Sequence, residues 1–187
     1  MLFVTLAGAL ILGLARGGKI TNLTKAKLMH SWLIFLSVLF EALLLLLSRN
    51  NIAPALPIVF TCITLQYLLL FLFVWLNRHL PYSWLIALGS FLNGLVILIN
   101  GGTMPLADIR SCIGNAEFTY EYLINGSLPI YHIINENTLL WFLGDVIIIP
   151  YPFSAFISVG DILLYAGVFL LIQHLVAGKS HKKKQPV

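Results

Sequence analysis

Residues Ser31 to Leu47 read SWLIFLSVLFEALLLLL, an apolar run with a single ionisable side chain, Glu41. As a helix, such a run is long enough to span roughly 30 Å of membrane hydrocarbon. Four further apolar runs lie along the chain, so the sequence predicts five transmembrane helices. Their expected bounds are about 1–15, 31–48, 53–76, 82–99 and 160–177.

The composition predicts an all-α integral membrane protein. Hydrophobic residues make up 59% of the chain and charged residues 10%, and the mean hydropathy is +0.94. A soluble domain of 187 residues needs a more polar surface than this. The lipid bilayer is therefore the first predicted partner. The net charge of +4 lies in short connections without interleaved aromatic residues, so no nucleic-acid partner is predicted.

The basic residues predict the orientation of the chain. Nine of the eleven Lys and Arg residues lie within residues 16–30, residues 77–81 and the tail, residues 178–187. Short connections rich in Lys and Arg stay in the cytoplasm in bacterial membranes. The amino terminus is therefore predicted outside, the basic tail in the cytoplasm, and the protein in the bacterial plasma membrane.

The first apolar run is predicted to be a retained helix. A signal peptide carries its charges before the apolar region. Here Arg16 and Lys19 follow it. Ala9 and Gly13 are four residues apart, a spacing of small residues that lets two membrane helices approach closely.

The connection at residues 101–159 is too long for a simple loop, so we expect a structured external segment between helices four and five. Within it, Leu139–Ile149 reads LLWFLGDVIII, which is too short to span and too apolar for water. Pro150 and Pro152 then prevent any helix from continuing. The segment is predicted to be re-entrant or interfacial, with Trp141, Tyr151 and Phe153 at the headgroups. A short external cap without further function is the alternative.

Polar residues inside the apolar runs are the first candidates for a functional site, because burying them in hydrocarbon is costly. Glu41 lies in the second run, Asn93 in the fourth, and Asn100 seven residues later on the same helical face. Both runs are predicted to run outward, so these side chains could meet. The alternative is that Glu41, neutral or hydrogen bonded, only holds helices together, as predicted for Gln66.

Glycine and acidic residues mark the outer ends of the apolar runs. In GGTMP, Gly101 and Gly102 permit a left-handed helix stop and Pro105 prevents continuation. FLGD and SVGD each place an Asp after a Gly at an apolar boundary, where the Asp can cap a helix or bind a cation. For Asp161, the position before Ile162 favours a helix N-cap. The candidate residues of these outer elements are Gly101, Gly102, Pro105, Asp108, Gly144, Asp145, Gly160 and Asp161.

No cofactor or metal is predicted. His132 and Glu136 are four residues apart and would share a helical face, but one His with one carboxylate is a weak metal signal. Cys62 and Cys112 are too few for a disulfide framework, although a single bridge between them remains open.

Four segments together resemble a known family. RGGKITNL (Arg16–Leu23), NGGTMP (Asn100–Pro105), WFLGDVIIIPYP (Trp141–Pro152) and SVGDILLYAG (Ser158–Gly167) are similar to a family of small bacterial membrane proteins with a domain of unknown function. The resemblance covers nearly the whole chain in the same order. It implies a bacterial origin and the five-span architecture, and it implies no activity or catalytic residues.

SVGD also resembles half of the Gly-x-Gly-Asp element of intramembrane aspartyl proteases, in which two close carboxyls activate water. Ser158 stands where the first glycine belongs, and FLGD supplies only the second glycine. The pair also falls on the predicted external face, so this interpretation is not favoured.

Three function classes remain open. The first is a non-enzymatic membrane module or subunit that binds a protein, lipid or peptide at the outer face. The second is a small transporter or ion-conducting protein that uses Glu41, Asn93 and the outer Asp residues. The third is an outer-leaflet enzyme with Asp145 and Asp161 as acid and base.

Overall fold

The structure is a computed structural model that describes residues 1–50, 52, 54–107, 130–149 and 155–177. The chain is mostly helical. The described residues form five α-helices, which are α1 (Leu2–Ala15), α2 (Trp32–Arg49), α3 (Leu56–Leu76), α4 (Ser83–Ile99) and α5 (Val159–Ala177). Two short 3-10 helices, Ile20–Lys25 and Trp141–Leu143, lie in the connections.

Two of the helices are long and apolar enough to cross a membrane. These are α3, with a mean hydropathy of 2.2, and α5, with 1.8. Only 22% and 17% of their apolar windows are buried, whereas the core helix of a soluble protein is mostly buried. The apolar helices α1 and α4 and the apolar part of α2, Trp32–Leu47, are shorter. Length and exposure together indicate association with a membrane.

The helices pack in the order α2, α3, α4, α5, α1. Helices α4 and α5 are antiparallel, since Asn93 bonds Asp161 near one end and Ile86 meets Gly167 further along. This seam is the most extensive in the bundle. It is close because Gly89 contacts the backbone of Gly160, and a side chain on either residue would overlap that backbone.

Helix α1 packs parallel to α5 through its small residues. Ala9 and Gly13 are both buried. The Ala9 carbonyl accepts a hydrogen bond from Gln173 Nε2. A Cβ atom on Gly13 would lie 2.9 Å from Val176 Cγ1, so a larger residue would force Val176 to shift. The close approach predicted from the Ala9/Gly13 spacing is confirmed.

The connections at residues 16–30 and 77–81, which hold five of the six Lys and Arg residues in the described ranges, lie at one end of the bundle. The Lys19 N–H donates to the Val176 carbonyl at 3.0 Å, as does Asn22 Nδ2 at 3.0 Å. Asn77 accepts from the Met29 N–H and donates to the Met29 carbonyl, both at 2.8 Å. The basic side chains before α2 and after α3 are thereby brought together with the end of α5.

The opposite end carries a cap that contains short strands, so the prediction of an entirely helical fold is corrected to a mostly helical one. Strand β1 (Met104–Leu106) pairs in parallel with β2 (Tyr131–Ile133), and β3 (Ile147–Ile149) pairs antiparallel with β4 (Ala155–Ile157). Asp145 bridges to Leu106 on the other side of β1. Strands form here because Pro105 cannot continue α4 and the Ile-rich segments favour extended backbone.

The end of α4 turns the chain from the bundle into the cap. Gly101 and Gly102 have positive φ angles of 72° and 92°. The Gly102 N–H donates to the Ile97 carbonyl at 2.9 Å and the Gly101 N–H to the Leu98 carbonyl at 3.3 Å, which is a Schellman stop. The helix stop predicted from the paired glycines is confirmed.

The apolar core lies where the bundle meets the cap. Its residues are Leu44, Val59, Cys62, Ile63, Val96, Ile97, Met104 and Ile130, with Phe40, Tyr67, Tyr131 and Leu143 packed against them. Met104 and Ile130 come from the cap, so the cap shares its core with α2, α3 and α4. This shared core positions the buried polar groups described next.

Candidate functional site

Asn93 joins α4 to the start of α5 through a closed hydrogen-bond network. Asn93 Nδ2 donates to Asp161 Oδ1 at 2.8 Å, and Ser158 Oγ donates to Asn93 Oδ1 at 2.8 Å. Ser158 is fully buried and Asn93 is nearly so. Each buried polar group thus has a partner, which is the arrangement that makes a polar contact stabilising in an apolar setting.

The structure corrects the predicted helix cap at Asp161. Helix α5 begins at Val159, so the residue before it, Ser158, is the N-cap. The Asp161 N–H donates to Ser158 Oγ at 2.9 Å, and the Ser158 N–H donates to Asp161 Oδ2 at 3.3 Å. This reciprocal pair is a capping box, with Asp161 at the third helical position. Sequence reasoning placed the cap three residues too late because the helix takes in Gly160.

Asp145 lies in the cap in a different environment. Its N–H donates to the Pro105 carbonyl at 2.8 Å, and its carbonyl accepts from the Ala107 N–H at 3.2 Å. Gly144 contacts the Pro105 carbonyl so closely that a Cβ atom would clash with it. The backbone is therefore fixed along β1, and the carboxyl is directed by that backbone into the protein, where only 6% of the residue is exposed.

The Asp145 side chain is not satisfied by its surroundings. Among the described residues, Oδ1 is buried without a hydrogen-bond partner. Burial raises the pKa of Asp145 to about 8, and the negative charge of Asp161 adds to the rise. A carboxyl with this pKa exchanges its proton near neutral pH.

Three tyrosines lie within the electrostatic influence of Asp145 and of the acids of the bundle. Burial raises the pKa of Tyr131, and the charges of Asp145, Glu41 and Asp161 raise it further, in that order. Tyr165 interacts electrostatically with the same three acids, as does Tyr67. The charges of Glu41, Asp145 and Asp161 therefore act on the same three tyrosines. We call Glu41, Asp145, Asp161, Tyr67, Tyr131 and Tyr165 the acid–tyrosine cluster.

Glu41 contacts α3, and its partner is not Asn93 as the sequence suggested. Gln66 Nε2 donates to Glu41 Oε2 at 3.1 Å. Gln66 Oε1 is buried and has no partner among the described residues. A protonated Glu41 would donate to that oxygen and complete an acid–amide pair. The role in helix packing predicted for Gln66 agrees with this contact.

Asn100 lies at the end of α4 and holds the cap. Its Nδ2 donates to the Leu139 carbonyl at 2.9 Å and its Oδ1 accepts from the Leu139 N–H at 3.0 Å. Both backbone groups of Leu139 are thereby satisfied by one side chain. Asn100 contributes to attachment of the cap and is not in the acid–tyrosine cluster.

His132 is a structural residue of the cap. Thr103 Oγ1 donates its single hydrogen to the Asn100 carbonyl at 2.9 Å, so its 2.8 Å contact with His132 Nδ1 must be donated by the histidine. His132 Nε2 then accepts from Thr138 Oγ1 at 3.2 Å. Burial lowers the pKa of His132, which agrees with this neutral form.

The predicted helical face shared by His132 and Glu136 is wrong, because His132 lies in β2 and Glu136 in a turn. Across the part of the chain that the structure describes, no group of three His, Cys, Asp or Glu side chains is arranged to hold a metal ion.

Several predicted residues lie outside the described part of the chain. These are Asp108, Cys112, Pro150, Tyr151, Pro152, Phe153 and the basic tail. Sequence reasoning also missed residues. Tyr67, Tyr131 and Tyr165 gave no signal because aromatic residues are common near membrane interfaces. Ser158 could have been found, since Ser three residues before an acid is the capping-box pattern.

Comparisons with known proteins place the chain among proteins without an assigned activity. An uncharacterised protein of Thermotoga maritima is 30% identical over 118 residues, which cover 58% of this chain and 60% of that protein. The chain thus spans about 60% of the length of that relative. No solved structure matches. The profile of a family of unknown function, DUF5317, matches residues 25–173, and the resemblance noted in the sequence is confirmed: the chain belongs to this family.

Proposed function

We propose that the chain is a multi-pass protein of the bacterial plasma membrane, with five spans, an external amino terminus and a cytoplasmic tail. Every helix exposes large apolar side chains, among them Phe3, Phe35, Trp75 and Trp84. Such a surface suits lipid and not water. The basic connections share one end of the bundle, which agrees with the positive-inside rule.

Cysteine labelling tests this orientation. On a background without Cys62 and Cys112, Asn137→Cys in the cap and Thr21→Cys at the opposite end place one exposed thiol at each end. A membrane-impermeant maleimide should modify position 137 in intact cells and position 21 only after permeabilisation. Labelling of position 21 in intact cells would contradict the proposed orientation.

We also propose that the protein is a small transporter or ion-conducting protein that binds a cation at the cap end of the bundle. The observation that carries this function is the Asp145 carboxyl, which is buried with Oδ1 unpartnered among the described residues and within the electrostatic influence of Asp161. Among the described residues, no Lys, Arg or His side chain contributes strongly to the electrostatic environment of the Asp145 or Glu41 carboxyl. Buried carboxylates without a basic partner either keep protons or take a cation.

The cation is expected to compete with a proton at Asp145. A monovalent cation that binds releases one proton, so the charge of the site is unchanged. This exchange gives the protein the chemistry of a proton-coupled transporter. Asp161 contributes negative charge, but its two oxygens are already bonded to Asn93 and Ser158. It is therefore poorly suited to the acid–base role of an enzyme.

Proteoliposomes with a trapped pH indicator test this function. External sodium, potassium or tetramethylammonium chloride is added, and alkalinisation of the lumen is followed. We expect at least one cation to drive proton release from wild-type vesicles. Asp145→Asn should abolish this release, whereas Glu136→Gln, the same change at an exposed acid of the cap, should retain it. Equal rates for the two variants, or no release with any cation, would contradict the proposal.

A second candidate is contact with a membrane protein or lipid at the outer face. It is favoured by four consecutive exposed apolar residues, Leu139, Leu140, Trp141 and Phe142, which are 57%, 38%, 53% and 52% exposed. An environment-sensitive fluorophore on Trp141→Cys should show blue-shifted emission in liposomes if this patch enters the headgroup region. Emission typical of water would contradict lipid contact.

A further inference from the structure

We propose that the protein binds the headgroup of an anionic phospholipid of the inner leaflet at the basic end of the bundle. The residues assigned to this contact are Arg16, Lys19, Asn22 and Lys25, which we call the basic corner. This inference rests on the membrane location and orientation proposed above. It adds a class of lipid and the side chains that recognise it.

The basic corner is assembled around the last turn of α5. Arg16 Nη1 donates to Gln173 Oε1 at 3.5 Å, and Asn22 Nδ2 donates to the Val176 carbonyl at 3.0 Å. Lys25 Nζ in turn donates to Asn22 Oδ1 at 3.4 Å. Positions 173 and 176 are three residues apart on one helix, so they share a face and lie about 5–6 Å from each other. Arg16 and Lys25 are therefore held beside the same helical turn.

Lys19 is brought to this turn by its backbone. Its N–H donates to the Val176 carbonyl at 3.0 Å. Gly18, the residue before it, lies so close to Val176 that a Cβ atom would overlap the valine side chain. The Lys19 side chain is exposed and has no partner among the described residues. Three exposed basic residues are thus gathered at the end of α5.

The positive charge of this end is not neutralised within the described ranges. The four described acids lie elsewhere, one in the middle of α2 and three at the cap end. No ion pair is formed by any of the five basic residues of this end, which are Arg16, Lys19, Lys25, Lys27 and Arg78. An uncompensated group of this kind attracts an anion.

The ends of the helices do not account for this charge. Helices α1 and α5 both end here, and each carboxyl end carries roughly half a negative elementary charge. Together they offset about one of the three positive charges of the basic corner. The Val176 carbonyl also receives its hydrogen bonds from the Lys19 N–H and from Asn22, so no basic side chain is needed to cap it. Roughly two positive charges remain for a ligand.

The surroundings of the basic corner favour a lipid over a soluble anion. Trp32 begins α2, Trp75 lies near the end of α3 and Trp84 lies near the start of α4, and each is more than half exposed. Exposed tryptophans at helix ends suit the headgroup level of a membrane. Ile20, next to Lys19, is also more than half exposed. Basic side chains beside apolar ones match a ligand that carries both a phosphate and acyl chains.

Arg78 and Lys27 belong to the same end and serve as a comparison. The Arg78 guanidinium lies over the Trp75 ring, 4.5 Å from its centre. Lys27 has no side-chain contact within the described ranges. Neither residue bonds to α5, so a discrete site at the basic corner depends on them less than on Arg16 and Lys25.

The experiment measures the melting temperature of the full chain in an uncharged detergent during titration with lipid. We expect phosphatidylglycerol to raise the melting temperature in a saturable way. Phosphatidylcholine has the same phosphate and acyl chains without net charge, and inorganic phosphate lacks the chains, so neither should do so at equal concentration. An increase from 50 to 500 mM sodium chloride should weaken the apparent dissociation constant for phosphatidylglycerol at least about fivefold, because salt screens exposed charges.

Two double variants that each remove two charges separate a site from diffuse attraction. One Lys or Arg near an anionic surface contributes about a fivefold change in affinity. Arg16→Gln with Lys25→Gln should therefore weaken phosphatidylglycerol binding about 25-fold. Lys27→Gln with Arg78→Gln should weaken it less than about twofold. The charge-preserving pair Arg16→Lys with Lys25→Arg should bind within about threefold of the wild type.

Each outcome supports or overturns the inference. Equal shifts with phosphatidylglycerol and phosphatidylcholine would overturn recognition of an anionic headgroup, as would no shift with either. A shift with inorganic phosphate as large as that with phosphatidylglycerol would overturn the lipid as the source. Equal losses in the two charge-removing double variants would overturn the basic corner as a site.

Folding and orientation are tested separately. If Arg16→Gln with Lys25→Gln does not fold, Lys19→Gln decides, since it removes a charge without removing a side-chain contact seen in the structure. It should weaken binding about fivefold, and unchanged affinity would overturn the inference. The titration in detergent does not depend on orientation, so labelling of position 21 in intact cells would contradict the proposed topology without changing this result.

Discussion

The two Gly-Asp elements, Gly144–Asp145 and Gly160–Asp161, look alike in the sequence and have different environments in the structure. In both, the glycine allows close contact with another segment: Gly144 with Pro105 and Gly160 with Asn93. The carboxyls differ. Both oxygens of Asp161 accept hydrogen bonds, whereas Asp145 Oδ1 has no described partner.

This difference separates an acid with a donor for each oxygen from an acid whose Oδ1 has no donor among the described residues. A carboxylate with two donors is held in one position and stabilises the contact between α4 and α5. A buried carboxyl without a partner keeps its capacity to bind a proton or a cation. The position of each Asp in the sequence does not distinguish the two cases. They differ in the number of hydrogen-bond donors around the carboxylate oxygens.

The largest effect is expected from Gly160→Ala, which changes the Gly160–Asp161 element. Its Cβ atom would overlap Asn93 Oδ1 and the Gly89 carbonyl, and the backbone cannot yield. We expect a loss of about 3 kcal/mol or more in the free energy of unfolding, or failure to assemble. The control is Gly8→Ala on α1, where a Cβ atom meets nothing within 4 Å. Equal stability of the two variants would refute the close α4–α5 contact.

The pH dependence of the free energy of unfolding tests the Gly144–Asp145 element. The pKa of Asp145 in the folded protein, about 8, lies above its ordinary value of 3.8. The folded state therefore binds more protons than the unfolded state between these values, and stability falls as pH rises through that range. We expect the protein to be about 2 kcal/mol less stable at pH 8 than at pH 6. Denaturant unfolding of Asp145→Asn should lack this slope, and an unchanged slope would show that another group causes it.

Asp161→Asn tests the Gly160–Asp161 element, because it replaces one carboxylate oxygen by an amide nitrogen. Had Asp161 been a simple N-cap, asparagine would replace it with a small loss. Since both carboxylate oxygens accept hydrogen bonds, the amide can satisfy only one donor and faces the other with its own N–H groups. We expect a loss of roughly 1–2 kcal/mol without loss of the fold. Thermal unfolding that matches the wild type would argue against the bonds to Asn93 and Ser158.

The smallest effect on the free energy of unfolding is expected from Glu41→Gln, which adds a third acid to the comparison. If Glu41 is neutral and paired with Gln66, then Glu41→Gln replaces an acid–amide pair by an amide–amide pair. We expect a change within about 0.5 kcal/mol, whereas Glu41→Lys should disrupt the bundle. A marked loss of folded protein with Glu41→Gln would mean that the charged form is needed, and would place Glu41 on an ion pathway.

Much of the scaffold was predictable because its signals are local. The apolar run at residues 31–48 contains a helix because apolar side chains and intrahelical hydrogen bonds suit a low-dielectric setting, whatever the rest of the chain does. Gly101 and Gly102 mark the helix stop because only their own φ angles are involved. The resemblance to the family was likewise drawn from short segments such as NGGTMP, and the match of the family over residues 25–173 confirms the membership.

The site was only partly predictable because its contacts join distant residues. Glu41, Asn93, Asp145 and Asp161 were identified as buried polar groups, but their partners were not. The bond from Asn93 to Asp161 joins residues 68 positions apart. The interaction of Asp145 with Tyr131 depends on how the cap folds against the bundle.

The sequence alone specified where apolar helices form, where the basic residues lie between them and which polar side chains interrupt them, since hydropathy and backbone preference act over a few residues. Tertiary structure decided which of two similar acids is satisfied. Asp161 lies beside Asn93 because Gly89 and Gly160 let α4 and α5 approach. The Asp145 backbone is fixed along β1, where no described residue gives Oδ1 a comparable donor. The free energy of a buried carboxyl depends on the atoms that surround it, and those atoms are assembled only when the chain folds.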